Sequence, residues 1–299
     1  RIRFRKTFFC SKGTAGLNIK IMFLLFTAML AVSTSPIIAR YLDDVPAVAI
    51  SFWRMGFGAL ILWMISVVKK QSPLSSENRN KTIIAGIFLG IHFALFFGAI
   101  KLTTIANATF LGTLAPLFTY FIEKFILKRR HRPVLLMGLG LAITGAVIIV
   151  GHQFDFSSDF TLGNLLAIAC SLFLGMAFII SEKIRKTVGT ISYSRTLFLT
   201  AAVTLLVIAI FTNSPLTGFS HIEYGGLLLL GIVPTLIGHG SMYFAVRYVS
   251  PTVVASTPMG EPILASVFAW FLFQEAIGYH TLMGGGCTLL GLFVIARQK

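Results

Sequence analysis

The sequence is poor in charged residues, and above all in acids. Only 12% of its 299 residues are Asp, Glu, Lys or Arg, and the 10 acids are outnumbered by 25 Lys and Arg. A soluble domain of this length carries about twice that share of charge. The low charge excludes an ordinary soluble core, and the hydrophobic share of 56% indicates an integral membrane protein.

The chain also lacks the short motifs of catalysis. Its three cysteines are Cys10, Cys170 and Cys287, and no C-x-x-C pair occurs, so neither a disulfide framework nor a cysteine metal site is indicated. No H-E-x-x-H, G-x-S-x-G or P-loop pattern is present, which argues against an intramembrane enzyme and against ATP as the direct energy source. We therefore expect a protein that is not an enzyme and that holds no metal or cofactor.

Long apolar runs fill most of the chain. Leu135–Gly151 and Thr281–Ala296 contain no charged residue, and stretches of ~17–25 such residues are long enough to cross a bilayer as helices. The connectors are too short for an extramembrane domain. The pattern predicts an all-α membrane protein with ten transmembrane helices. The predicted spans are 21–39, 46–68, 82–100, 104–126, 133–151, 162–181, 192–211, 224–246, 251–273 and 279–296.

The start of the chain is basic and is followed by an apolar run. This order is similar to a signal peptide, but no small-x-small cleavage pattern follows and further spans do, so we expect an uncleaved first helix. Residues 1–20 are then a basic segment outside the membrane.

The positive charges are distributed unevenly between the two sides of the predicted bundle. Of the Lys and Arg outside the spans, 20 fall on the side of both chain termini and two, Arg40 and Lys101, on the other side. Cytoplasmic loops of membrane proteins carry the excess of Lys and Arg, so both termini are predicted to be cytoplasmic. The net charge of +15 is therefore a topology signal that suits contact with anionic lipid, and we expect no nucleic-acid partner.

The second half of the chain repeats features of the first. A shift of 146 residues aligns Pro116 with Pro262, Gly145 with Gly291, and a Leu-Met-Gly tripeptide with its copy. The shift maps spans 3–5 onto spans 8–10, so the repeating unit has five helices. Because five is odd, the second copy enters the membrane upside down. The predicted repeats are residues 21–151 and 162–296.

Two inverted repeats are typical of secondary transporters, whose substrate site lies near the membrane midplane where the repeats meet. The sequence thus predicts a transporter with a small-molecule substrate. The alternatives are a channel or a non-transporting duplicated bundle.

Three stretches of the sequence support a family assignment. Arg54 lies in the second span, Pro116 and Pro262 lie within the fourth and ninth spans, and Glu261 precedes the second proline. In these features the chain resembles the EamA-type, ten-helix branch of the drug/metabolite transporter superfamily. The three stretches that carry these features are Ala49–Leu62, Thr104–Thr119 and Val249–Ile277.

The resemblance implies a secondary carrier of the bacterial inner membrane that exports a small organic metabolite, an amino acid or a related compound. Two departures from the family pattern stand out. Arg129 stands where the family has an acid after the fourth span, and the first span lacks the usual Trp-Gly pair.

Glu261 is the most informative polar residue. It lies about ten residues into the ninth span, or ~15 Å, near the centre of a ~30 Å hydrocarbon core. A charge there costs at least ~2.5 kcal/mol unless it faces protein or water. Pro258 and Pro262 both remove backbone donors, so we expect a bent helix bordering a cavity. The carboxyl either binds substrate or a proton, or satisfies the bent backbone.

Other polar residues within the spans are further candidates for a substrate site. Arg54 either receives a substrate carboxylate or pairs with Glu261, or else its long stem reaches the outer headgroups. His92 and His239 either relay protons or form interhelical hydrogen bonds. The remaining predicted site residues are Asn107, Thr113, Tyr243 and Ser256.

Glu123 and Glu182 lie near cytoplasmic helix ends. Each is followed directly by a lysine, Lys124 and Lys183, so we expect solvated charge pairs there.

The charge asymmetry predicts the topology in a form that labelling can test. Single cysteines that replace Ser76 and Ser158 should react with a membrane-impermeant thiol reagent from opposite sides, Ser158 from outside the cell. Modification of both positions from the same side would contradict the ten-span topology.

Overall fold

Helices make up all of the regular structure in residues 19–103, 105–151, 161–274 and 277–297, the parts of the chain that the computed structural model describes. Several positions used above lie outside these residues: most of the basic segment 1–20, together with Ser158 and Glu275. The α-helices are α1 (Ile19–Arg40), α2 (Ala47–Val68), α3 (Ser76–Leu102), α4 (Ile105–Gly112), α5 (Ala115–Phe121), α6 (Pro133–Val150), α7 (Thr161–Arg185), α8 (Thr190–Phe211), α9 (His221–Leu230), α10 (Gly240–Ala245), α11 (Pro251–Ala255), α12 (Glu261–Phe273) and α13 (Tyr279–Arg297).

Seven helical stretches in the described residues are long and apolar enough to cross a membrane, and α6 is a shorter apolar helix. The bounds follow the predicted spans closely. The largest difference is at α3, which begins at Ser76 instead of residue 82. The earlier start has a local cause, because the Ser75 hydroxyl accepts a hydrogen bond from the Asn78 amide at 3.4 Å and caps the helix.

Three of the predicted spans are not continuous α-helices. The span at 104–126 consists of α4, α5 and a π-helical turn at Ile122–Ile126. The span at 224–246 has a π-helical segment, Gly231–His239, between α9 and α10. The span at 251–273 has a 3-10 turn, Thr257–Gly260, between α11 and α12.

Prolines account for the position of these interruptions. Pro116 is the second residue of α5, Pro234 lies inside the π-helical segment, and Pro258 and Pro262 flank the junction of the 3-10 turn with α12. Proline cannot donate a backbone hydrogen bond and its ring collides with the preceding turn. The interruption of the ninth span at the two prolines is therefore present in the structure as a 3-10 turn.

Helices α6 and α13 pack against each other through glycines. A Cβ atom on Gly145 would collide with the Gly284 carbonyl, and one on Gly138 would collide with the Gly291 carbonyl. The Thr288 hydroxyl also donates to the Ala142 carbonyl across the same contact, at 3.3 Å. Small residues allow membrane helices to approach until their backbones touch, so this seam is a direct contact between two backbones.

The long helices surround the interrupted ones. Helix α3 packs between α7 and α8, α2 packs on α8, and α1 packs on the π-helical segment and on α12. Helix α5 contacts both α7 and α11. Irregular backbone is tolerated at membrane depth only where protein or water covers it, and this arrangement supplies the cover.

Two glycines on α13 provide a matched test of the seam. Gly284→Ala should lower the melting temperature, because its methyl group meets backbone and overpacking costs ~1–3 kcal/mol. Gly286→Ala should not lower it, because a Cβ there has nothing within 4 Å and alanine is the better helix former. Both variants are to be compared with the parent protein by thermal unfolding in detergent. Equal melting temperatures for the two variants would contradict the close approach of α6 and α13.

Candidate functional site

The interrupted helices border a cavity of about 60 Å³. Five of the eight predicted site residues line it: Arg54, His92, Thr113, His239 and Glu261. They come from five different spans, so only the folded bundle brings them together. The other lining residues are Val32, Ser35, Phe93, Phe96, Thr109, Gly112, Leu174 and Pro258.

Arg54 is held in place by hydrogen bonds to neutral groups. It is only 3% exposed, so its side chain does not reach the headgroups. Its Nε donates to Thr235 Oγ1 at 3.2 Å and one terminal nitrogen donates to Ser35 Oγ at 3.3 Å. The guanidinium carbon lies 4.4 Å from the centre of the Phe93 ring, a cation–π contact. These partners orient the guanidinium without neutralising its charge.

Glu261 is the acid of the cavity and the first residue of α12. Its carboxylate forms no ion pair or hydrogen bond within the described part of the chain, although its charge interacts with that of Arg54. The preceding Gly260 packs so tightly on Met29 that a Cβ there would collide with the Met29 sulfur. The backbone beside Glu261 is therefore closely packed.

An aromatic ring separates the two histidines. The Phe93 ring centre lies 4.8 Å from that of His92 and 5.3 Å from that of His239. His92 Nδ1 lies 2.9 Å from the Cys170 carbonyl; since a carbonyl only accepts, Nδ1 donates and the bond ties α3 to α7. His239 Nδ1 is buried with no hydrogen-bond partner among the described residues. Most buried polar atoms in proteins are hydrogen-bonded, so this nitrogen is an exception within the described residues.

Three predicted site residues lie away from the cavity. Asn107 donates to the Asn164 side chain at 2.8 Å, Tyr243 is buried among aromatic rings, and the Ser256 hydroxyl donates to the Val253 carbonyl at 2.8 Å. Their surroundings are those of helix packing.

Several residues that shape the cavity were not predicted from the sequence. Thr235 positions Arg54, Ser35 does the same from α1, and Phe93 and Phe96 form an aromatic wall. Pro234 was the available signal for Thr235, since it breaks the eighth span one residue earlier. No comparable signal separates Phe93 and Phe96 from the other phenylalanines.

The described residues contain no group of three or more His, Cys, Asp or Glu side chains that could hold a metal ion. The ionisable groups that line the cavity are one guanidinium, one carboxyl and two imidazoles.

A second polar cluster lies at the ends of several helices. Arg129 donates to Glu123 at 2.5 Å and to Glu182 at 2.6 Å, and Lys186 pairs with Glu182 at 3.1 Å. The other oxygen of Glu123 accepts hydrogen bonds from the Thr252 hydroxyl and, at 3.3 Å, from the Thr252 amide near the start of α11. The cluster thus ties the end of the fourth span to the sixth and ninth spans.

The expectation of solvated pairs at Glu123 and Glu182 is wrong. The Glu123 side chain is fully buried and that of Glu182 is 10% exposed, and both pair with Arg129 and not with the lysine that follows them. The forked guanidinium of Arg129 can reach two carboxylates at once. Burial alone would lower the pKa of Arg129, but the hydrogen bonds and charges of the two acids outweigh it and raise the pKa.

A bundle of membrane-spanning helices, with interrupted helices around a small polar cavity, is the architecture of a membrane transporter. The chain belongs to the EamA-like transporter family, whose model matches it twice, over residues 19–151 and 161–297. The resemblance found in the sequence is thereby confirmed.

Named relatives are transporters from several organisms. The chain is 23% identical to the pseudopaline exporter CntI of Pseudomonas aeruginosa, over 85% of this chain and 87% of that protein. It is 24% identical to human solute carrier family 35 member G1, over 89% and 76% of the two chains. A protein of known crystal structure shares the fold with a TM-score of 0.80 and 19% identity, over 92% of this chain and 98% of the other.

Proposed function

We propose that the protein is a secondary active transporter of the bacterial inner membrane that exports an amino acid or a related small metabolite by alternating access. The observation that carries this proposal is the cavity itself. It holds one cation, Arg54, and one carboxylate, Glu261, whose charges interact but which form no ion pair with each other in the described part of the chain.

The positive charge of Arg54 and the negative charge of Glu261 suit a zwitterionic substrate, which carries one charge of each sign. A substrate carboxylate would lie on the guanidinium of Arg54, which can bind it through two parallel hydrogen bonds. A substrate ammonium would lie on Glu261. The aromatic wall of Phe93 and Phe96 would contact the apolar part, and the free Nδ1 of His239 offers a further hydrogen bond. The cavity volume of about 60 Å³ favours a small molecule.

Glu261 is also the proposed site of proton coupling. A carboxylate in a low-dielectric site is costly until a cation or a proton neutralises it. A proton and a substrate ammonium would therefore compete for the same carboxylate, and this competition couples proton entry to substrate release. The name of the Pseudomonas aeruginosa relative, an exporter, supports the direction.

Two features support the proposed inverted five-helix repeats, with ten spans and cytoplasmic termini. The family model matches each half of the chain once. The seam contacts also exchange under the shift of 146 residues: Gly138 against Gly291 becomes Gly284 against Gly145. Exchange of this kind is expected of two copies related by a two-fold axis in the membrane plane.

The ion cluster around Arg129 is proposed to close the cytoplasmic side. It joins the fourth, sixth and ninth spans. Three aromatic residues whose buried rings pack together, Phe178, Tyr193 and Tyr243, are close to the cluster in the sequence. Opening toward the cytoplasm then requires Arg129 to leave at least one acid. Breaking the pair with the fully buried Glu123 is costly, so the pair of Arg129 with Glu182, in which both side chains are partly exposed, is the one proposed to separate first.

Transport assays test the site directly. Ligands are first found by thermal shift with the common amino acids, their decarboxylated amines and their N-acetyl derivatives. The transport of a stabilising ligand is then measured by counterflow in proteoliposomes.

Glu261→Gln should abolish pH-driven transport and keep a melting temperature close to that of the parent, because the glutamine side chain has the size of glutamate but does not titrate. Arg54→Gln should weaken binding of ligands that carry a carboxylate by at least tenfold, since charge-assisted bidentate bonds are lost.

Asp44→Asn is the matched control, because it makes the same kind of change at an exposed outer position. It should leave transport unchanged. Full pH-driven transport by Glu261→Gln would remove Glu261 from the mechanism. The absence of counterflow for every ligand that stabilises the protein would favour a non-transporting bundle or a channel instead.

The proposed closure is tested by thiol accessibility. In a chain without its natural cysteines, Ala177→Cys places a thiol at a fully buried position of α7. Arg129→Gln should increase its rate of labelling from the cytoplasmic side about tenfold, which corresponds to a loss of ~1.4 kcal/mol of closure energy. Lys124→Gln, an exposed charge beside Glu123, should not. Equal rates in both variants would show that the cluster does not hold the closed state.

A further inference from the structure

Two aromatic side chains close one end of the polar cavity. Leu174 and His239 line the cavity, and Phe178 and Tyr243 follow them at a distance of about one helical turn along their helices. The rings of Phe178 and Tyr243 meet with their centres 5.2 Å apart, and both side chains are fully buried. This aromatic closure separates the cavity from the part of the bundle that lies further along α7 and α10.

The hydroxyl group of Tyr243 is buried and has no hydrogen-bond partner among the described residues. The centre of the Tyr193 ring lies 5.8 Å from that of Tyr243, but the Tyr193 hydroxyl bonds to that of Ser181 instead. A buried polar group without a partner destabilises the fold. A phenylalanine would fill the same space without this cost, so the hydroxyl of Tyr243 needs another explanation.

A buried arginine lies beside the same tyrosine. Arg185 is only 1% exposed, and its Nε donates to the Tyr243 carbonyl at 2.9 Å. Its terminal nitrogens donate to a further carbonyl and to a hydroxyl group, and no acid pairs with it within the described ranges. Arg54 in the cavity likewise donates only to neutral groups. Each side of the aromatic closure therefore has an arginine that is held by neutral groups.

The route past Tyr243 leads to the ion cluster around Arg129. Ser181, which bonds to Tyr193, is the neighbour of Glu182 on α7, and Glu182 pairs with Arg129. The aromatic closure thus lies between the cavity and the cluster that is proposed to close the cytoplasmic side.

We propose that Tyr243 binds the carboxylate of the substrate during its passage between the cytoplasm and the cavity. Once the Phe178 ring moves aside, the Tyr243 hydroxyl donates to the carboxylate, and the charge of Arg185 attracts the same group. The carboxylate then meets Arg185, Tyr243 and Arg54 in turn. The inference rests on the function proposed above and adds a binding position outside the cavity.

Tyr243→Phe removes only the hydroxyl group and tests the proposal. The melting temperature should rise, because an unpartnered buried group is lost. The affinity for ligand, measured by calorimetric titration, should not change, because the cavity is intact. Counterflow at saturating substrate should slow about fivefold more than opening does, the effect of one lost hydrogen bond. Opening is measured without substrate, by the labelling rate of Ala177→Cys in the chain without natural cysteines.

The matched control is Tyr224→Phe, which removes a tyrosine hydroxyl near the other end of the eighth span, where Tyr224 packs on Trp53. It should leave counterflow unchanged, and an equal loss there would overturn the proposal. Counterflow by Tyr243→Phe that slows no more than its labelling would mean that the hydroxyl only affects closure, and would also overturn it. So would a fall in melting temperature, which would show that the hydroxyl is bonded within the protein. Absence of counterflow by the parent itself would refute the proposed function and this inference with it.

Discussion

A backbone that leaves the α-helix inside a membrane must be covered, and this constraint organises the whole bundle. Free amide and carbonyl groups cannot face hydrocarbon. Prolines interrupt the fourth, eighth and ninth spans, and the continuous helices α1, α3 and α7 contact the interrupted segments. The polar cavity lies where these interruptions meet. The site is thus a consequence of the interrupted helices. Regular helices would have satisfied all of their own backbone hydrogen bonds, and polar side chains would not have been needed beside them.

The cavity and the ion cluster use charge in different ways. In the cluster, Arg129 is matched by two carboxylates and Glu123 accepts two further hydrogen bonds. In the cavity, Arg54 donates only to neutral groups, and its charge interacts with that of Glu261 without an ion pair between them among the described residues. Matched charges stabilise one arrangement of helices, whereas the charges of the cavity remain for the ligand that we propose.

Much of the fold was predictable because lipid imposes a simple rule on sequence. Apolar runs gave the helix bounds to within a few residues, and prolines gave the position of the break in the ninth span. Glu261 and Arg54 were predicted as cavity residues for the same reason, because a charged side chain within an apolar run must face protein or water. The partners of Glu123 and Glu182 were mispredicted because the neighbouring residues in the sequence, Lys124 and Lys183, suggested themselves as partners. The true partner is 53 residues from Glu182, and only the packing of the sixth span against the fourth brings it near. The eight polar candidates were likewise divided by tertiary structure: Tyr243 and Ser256 have suitable chemistry but face other helices.

The seam between α6 and α13 has a mechanical consequence. At Gly145 and Gly284 the two backbones touch with no side chain between them, so the helices can neither approach further nor slide without collision. Side chains elsewhere in the bundle can change rotamer to absorb a displacement, but a glycine contact has none to move. The seam therefore yields less to displacement than a contact between side chains does, and we expect α6 and α13 to move as one unit when other helices rearrange.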